Sequence, residues 1–147
     1  MIELHFPDIA IPGVKLGLAN IITVWAVFHY KPSEVCMILF CRILLGAIFT
    51  GNISALLYSV SGAVMCLLAM LVLRHILDEK YIWLCSMIGA VFHNIGQITA
   101  AMIILQSAAV ISYFPILAIS GSIAGLFTGL CTQNLLHRLS ALKKTNA

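Results

Sequence analysis

Apolar residues run through this chain in long unbroken blocks, separated by short polar punctuation. Pro12-Gly13 opens the first block, about residues 14–30, which closes on Trp25, His29 and Tyr30. Lys31-Pro32-Ser33-Glu34 is a turn, with Pro32 stopping one helix and Ser33 placed to cap the next. Further blocks follow at about 34–50, 53–73, 81–105 and 115–136. Gly51-Asn52, the mixed-charge loop from Arg74 to Lys80 and an uncharged stretch from Gln106 to Tyr113 separate them. Pro115 falls in a first helical turn, where its missing N–H is harmless. Each block has the roughly 17–25 residues that a ~30 Å hydrocarbon core requires. A transmembrane barrel would instead alternate apolar and polar positions. The pattern predicts an all-α polytopic membrane helix bundle of about five spans, with residues 1–147 as one integral membrane domain and the lipid bilayer as its surroundings.

Composition strengthens this reading. The chain is 62% hydrophobic and 9% charged, against about 25% charged in a soluble domain. That leaves too little polar surface to cover a water-soluble globule. The net charge of +3 forms no basic stripe, so nucleic acid is not an expected partner. Cys36, Cys41, Cys66, Cys85 and Cys131 lie in apolar blocks without a Cys-x-x-Cys pair and read as small buried hydrophobes. No metal site and no cofactor is expected.

Lysine and arginine then set the orientation. Lys31, then Arg74 and Lys80, then Arg138, Lys143 and Lys144 occupy alternate connections and the tail, while the turns at 51–52 and 106–113 carry none. The expectation is a multi-pass protein of the cell membrane with an outside N-terminus and a cytoplasmic C-terminus. The first fifteen residues lack the apolar core of a cleavable signal peptide. An outside start leads to the expectation that one further helix precedes Met1.

Arg42 stands about eight residues into the second block, ~12 Å deep at 1.5 Å per residue. A charge at such depth costs about 2.5–3.5 kcal/mol on insertion scales, so it faces protein or water rather than lipid. It could pair with backbone carbonyls or snorkel; it could equally anchor an anionic or polar group, since no acid lies inside any block. Gly89, His93 and Gln97 recur at i, i+4 and i+8 and share one helix face, with Asn94 about 100° round from His93. Asn20, Asn52 and Gln97 fall at one depth in the outer half, with His93 near the middle. Polar groups converging from three helices suggest a substrate pocket open to the outside, formed by Asn20, Arg42, Asn52, His93, Asn94 and Gln97. Interhelical hydrogen bonding at about 0.6 kcal/mol per pair is the plainer alternative. Gly121, Gly125 and Gly129 form a small-x3-small ridge read as helix packing.

Three stretches together resemble a known bacterial family. They are Pro12-Gly-Val-Lys-Leu-Gly-Leu-Ala-Asn20, Cys41-Arg-Ile-Leu-Leu-Gly46 through Gly51-Asn52, and Gly89-Ala-Val-Phe-His-Asn-Ile-Gly-Gln97. The chain resembles, over about residues 11–136, the Gx transporter family, also labelled heptaprenyl diphosphate synthase component I. That family is similar to the substrate-binding S components of energy-coupling-factor transporters. The resemblance implies a six-helix fold, here without its first helix. It also implies an outward-facing pocket for a small-molecule substrate, and a partner module of a transmembrane scaffold with two ATPases.

The synthase label can be weighed on residues. A prenyl diphosphate synthase needs aspartate-rich pairs to hold Mg²⁺ and diphosphate. The five acids here are Glu3, Asp8, Glu34, Asp78 and Glu79, at helix ends or in loops, with one adjacent pair. Independent catalysis is therefore not expected. Two functional readings follow: a substrate-binding or transport subunit, and a non-catalytic membrane subunit assisting prenyl diphosphate or quinone metabolism or a redox complex.

Overall fold

A computed structural model describes residues 12–50 and 53–145. Their fold is all α: α1 (Pro12–His29), α2 (Pro32–Thr50), α3 (Ile53–Leu73), α4 (Ile82–Leu105) and α5 (Phe114–Thr145). One 3₁₀ turn, Glu79–Tyr81, leads into α4, and a longer 3₁₀ segment, Ala108–Tyr113, joins α4 to α5.

Local chemistry explains the boundaries. Pro32 occupies the first position of α2, two residues earlier than a Ser33 cap would put it. The cap is made instead by Glu34, whose Oε2 accepts the Lys31 backbone N–H at 2.9 Å, the reciprocal half of a capping box. α4 closes on Gln106 in the left-handed conformation (φ 48°), a C-cap without glycine. The largest departure from the sequence pattern is α5. Its apolar block ends near residue 136, yet the helix runs on to Thr145. Residues 137–145 hold no Gly or Pro and are rich in Leu, Ala, Lys and Arg, so nothing in them stops a helix.

Consecutive helices run antiparallel. Along α4 and α5 the register is direct: Gly121 faces Ala90, Gly125 faces Ser86 and Met87, and Gly129 faces Trp83. A Cβ on Gly129 would lie 2.5 Å from the Trp83 Cα, and one on Gly125 2.8 Å from the Ser86 carbonyl oxygen. On its other side, α4 presses Gly96 against the Ser61 and Gly62 backbone, and Gly89 against Met70. Small residues on both flanks thus let α4 sit between α3 and α5 at near-backbone distance. Ser61 Oγ donates to the Gly96 carbonyl at 2.7 Å, and Ser86 and Thr128 hydroxyls pair at 3.0 Å, so the two seams also carry hydrogen bonds.

The buried core lies towards the end of the bundle that holds Lys31, Arg74 and Lys80, hereafter the basic end. It joins Val24 and Val27 of α1, Val35 and Leu39 of α2, Leu67 and Met70 of α3, and Ile82 and Cys85 of α4. Large apolar side chains elsewhere point outward. Ile48 is 75% exposed, Ile123 65% and Phe127 68%. This is the distribution expected where the outer surface meets lipid rather than water. Leu56–Leu73, Glu79–Leu105 and Ala108–Arg138 are each long and apolar enough to cross a membrane, and Asn20–His29 is a shorter apolar stretch.

Candidate functional site

The polar residues of the helix faces are sorted by the structure into separate clusters. The first centres on Arg42. Its Nη1 donates to Asn20 Oδ1 at 2.7 Å and to Thr23 Oγ1 at 3.3 Å. Asn20 and Thr23 are three residues apart, so they share the α1 face turned to α2. Arg42 is half-buried. Among the described residues no carboxylate pairs with it; the ion pair seen there is Lys80–Asp78 at 3.8 Å, at the surface. The guanidinium is therefore held by neutral acceptors inside a membrane-length helix. Such an arrangement leaves a net positive charge in the bundle.

The second cluster forms around Gly62. A Cβ there would come within 2.8 Å of both His93 Cε1 and Gln97 Cγ. Glycine at this position lets the His93 and Gln97 side chains lie close against α3. The His93 ring thus lies directly against Gly62. One turn further along α4, Gln97 opens onto a cleft of about 380 Å³ at the uncharged end of the bundle. The walls come from Tyr58 of α3, Gln97, Ile98 and Ala101 of α4, Val110 and Tyr113 of the 3₁₀ segment, and Ile116 and Leu117 of α5. The lining is mostly apolar, with the Tyr58 and Tyr113 hydroxyls and the Gln97 amide as its side-chain polar groups. It suits a ligand with an apolar body and a few hydrogen-bonding atoms.

The remaining candidates divide. Asn94 is buried and turned away from His93. Its Nδ2 donates to the Leu117 carbonyl of α5, and a Cβ on Gly121 would collide with it. Asn94 therefore ties α4 to α5, while Arg42, His93 and Gln97 follow one another from the middle of the bundle towards the cleft. Asn52 lies outside the described residues.

A feature absent from the sequence reading sits at the basic end. Arg74 follows α3 directly, and its Nη1 donates to the carbonyls of Val27 at 3.1 Å and Tyr30 at 3.3 Å. These oxygens lie in the last turn of α1 and on the residue just after it, where helix-end carbonyls lack intrahelical partners. The Lys31 N–H that could have served Val27 is taken by Glu34. In the sequence Arg74 is one more basic residue in a loop; nothing in its spacing pairs it with a helix end 44 residues away. Beside it, Trp25 stacks on His29 at 5.2 Å and meets Tyr30 edge-on at 5.3 Å.

Comparison with known proteins adds a family. Residues 1–135 match the family model described as heptaprenyl diphosphate synthase component I. No curated protein and no solved structure matches the chain.

Proposed function

The chain belongs to the heptaprenyl diphosphate synthase component I family, and from that membership we propose that it is a non-catalytic membrane subunit that binds a small amphipathic molecule. The ligand's apolar part occupies the cleft between Tyr58, Gln97 and Leu117. Gln97 and His93 hydrogen-bond its polar part, and Arg42 supplies positive charge deeper in the bundle. Asn20 and Thr23 hold Arg42 in place. The binding face opens to the outside of the cell membrane, with the C-terminus cytoplasmic.

The single observation that carries this reading is Arg42. An inward arginine with neutral partners, on the same interior as His93 and Gln97, is an arrangement that a negatively charged or strongly polar ligand group would complete. In this reading the subunit delivers its ligand to an energy-coupling scaffold with ATPases, as the S-component resemblance implies. The family's description favours a second reading, in which the chain is the membrane component of a prenyl diphosphate enzyme and leaves the chemistry to another subunit. Asp78-Glu79 is the one adjacent acid pair in the sequence; it is exposed, and Asp78 already faces Lys80.

The test is to purify the full chain in mild detergent and identify enriched small molecules by mass spectrometry. The wild-type protein should retain a defined compound that Arg42→Ala and Gln97→Leu variants lose at unchanged folding. Identical, ligand-free spectra from all three would refute the binding role. Co-purification with ATPase subunits supports delivery; co-purification with a soluble prenyl synthase supports the second reading.

A further inference from the structure

The basic end of the bundle contains a second cavity, remote from the Gln97 cleft and of similar size, about 380 Å³. Phe28, His29, Tyr30, Lys31, Pro32 and Arg74 line it. Two of these side chains are cations, one is an imidazole, and no carboxylate is among them. Glu34, the nearest acid in sequence, has one carboxylate oxygen engaged by the Lys31 backbone N–H.

The cationic walls differ in character. Arg74 is half-buried and held in position by the Val27 and Tyr30 carbonyls. Both of those bonds leave from Nη1, so the donors on Nη2 and Nε remain for a further acceptor. Lys31 is exposed on the same lining, and its four-carbon stem gives the ammonium reach. His29 and Tyr30, packed about Trp25, place an aromatic rim where such residues sit at the edge of a hydrocarbon core. A polar cavity between helix ends, lined by both an arginine and a lysine, has the chemistry of a phosphate site.

We propose that the cavity between the α1–α2 turn and Arg74 binds a phosphate group presented at the membrane surface, with Arg74 as the fixed donor and Lys31 as the closing one. An anionic phospholipid headgroup and a free phosphate share this chemistry, and the test separates them. The full chain is reconstituted in nanodiscs of phosphatidylcholine containing a minor fraction of phosphatidylglycerol, and bound lipid is counted by native mass spectrometry after release. Wild type should retain phosphatidylglycerol above its bulk fraction. Lys31→Gln should weaken that retention about fivefold, the effect of one basic residue at an anionic surface, and Lys31→Arg should restore it. Lys31 is exposed and its backbone makes the bonds that hold the turn, so this variant tests the site with the fold kept. Lys80→Gln, at the same end but outside the cavity, should retain the lipid as wild type does.

If phosphatidylglycerol is not enriched but inorganic phosphate binds to wild type and not to Lys31→Gln, the site is for free phosphate. The proposal is overturned if neither probe distinguishes wild type from Lys31→Gln. It is overturned equally if Lys80→Gln loses as much lipid as Lys31→Gln, because the attraction would then belong to the surface at large.

Discussion

Two glycines make the sharpest test of how this bundle is held together. Gly96 lies in the α3–α4 seam, and Gly46 lies on α2 with nothing within 4 Å of where its Cβ would be. Replacing either with alanine adds the same methyl group and the same helix propensity, worth up to about 1 kcal/mol in favour of alanine. At Gly96, however, the new Cβ would lie 2.5 Å from the Ser61 carbonyl oxygen and 2.9 Å from the Gly62 Cα. Ordinary contact begins at 3.4 Å, so α3 and α4 must separate locally by close to 1 Å. Backbone atoms cannot rotate away as a side chain would. The shift also stretches the 2.7 Å bond from Ser61 Oγ to the Gly96 carbonyl. Overpacking of this kind costs about 1–3 kcal/mol. Gly96→Ala should therefore lower stability by about 1–2 kcal/mol, and Gly46→Ala should leave it unchanged or slightly raised. Unfolding in mixed detergent micelles, followed by circular dichroism, measures both. Equal stability of the two variants would refute the argument that close backbone approach at Gly96 sets the position of α4.

Three further outcomes follow from the same geometry. Arg74→Ala should release the last carbonyls of α1, costing about 1–2 kcal/mol, and should speed backbone hydrogen exchange through residues 28–31 while leaving α4 unchanged; uniform exchange would rule out the clamp. A double-mutant cycle on Ser86→Ala and Thr128→Val should give a coupling of about 0.6 kcal/mol, typical of interhelical hydrogen bonds in membranes, and a value above about 2 kcal/mol would contradict an ordinary packing role. Asn94→Leu removes the bond to the Leu117 carbonyl and crowds Gly121, so it should destabilise the α4–α5 pair in thermal melts more than His93→Leu does; the reverse order would overturn the assignment of Asn94 to packing.

Much of the architecture was legible before any coordinates. Apolar runs too long and too continuous for strands dictate helices, and the prolines at 12, 32 and 115 fall in first helical turns because only there is a missing N–H tolerated. Periodicity likewise puts Gly89, His93 and Gln97 on one face of α4 wherever that helix sits. Two boundaries escaped for local reasons. α2 begins at Pro32, with Lys31 as its cap, because Glu34 reaches back to the Lys31 N–H, a reciprocal cap that a search for Ser or Thr passes over. The end of α5 is not marked because a loss of apolar character is not a helix stop, and residues 137–145 contain no breaker.

What tertiary structure alone decided is which faces meet. A helical repeat states which residues share a stripe, but the rotation of each helix about its axis depends on where small residues let backbones approach. Gly62 and Gly96 turn the His93–Gln97 stripe onto α3, and Gly121, Gly125 and Gly129 turn the adjoining stripe, with Asn94, onto α5. Two neighbours in sequence, His93 and Asn94, are thereby sent to different seams. Contacts across distant segments followed in the same way: Arg42 to Asn20 and Thr23, and Arg74 to the end of α1. Sequence determined the helices and their polar stripes because both depend on local bonding and period. The pairing of those stripes is a long-range consequence of close packing, which no local pattern records.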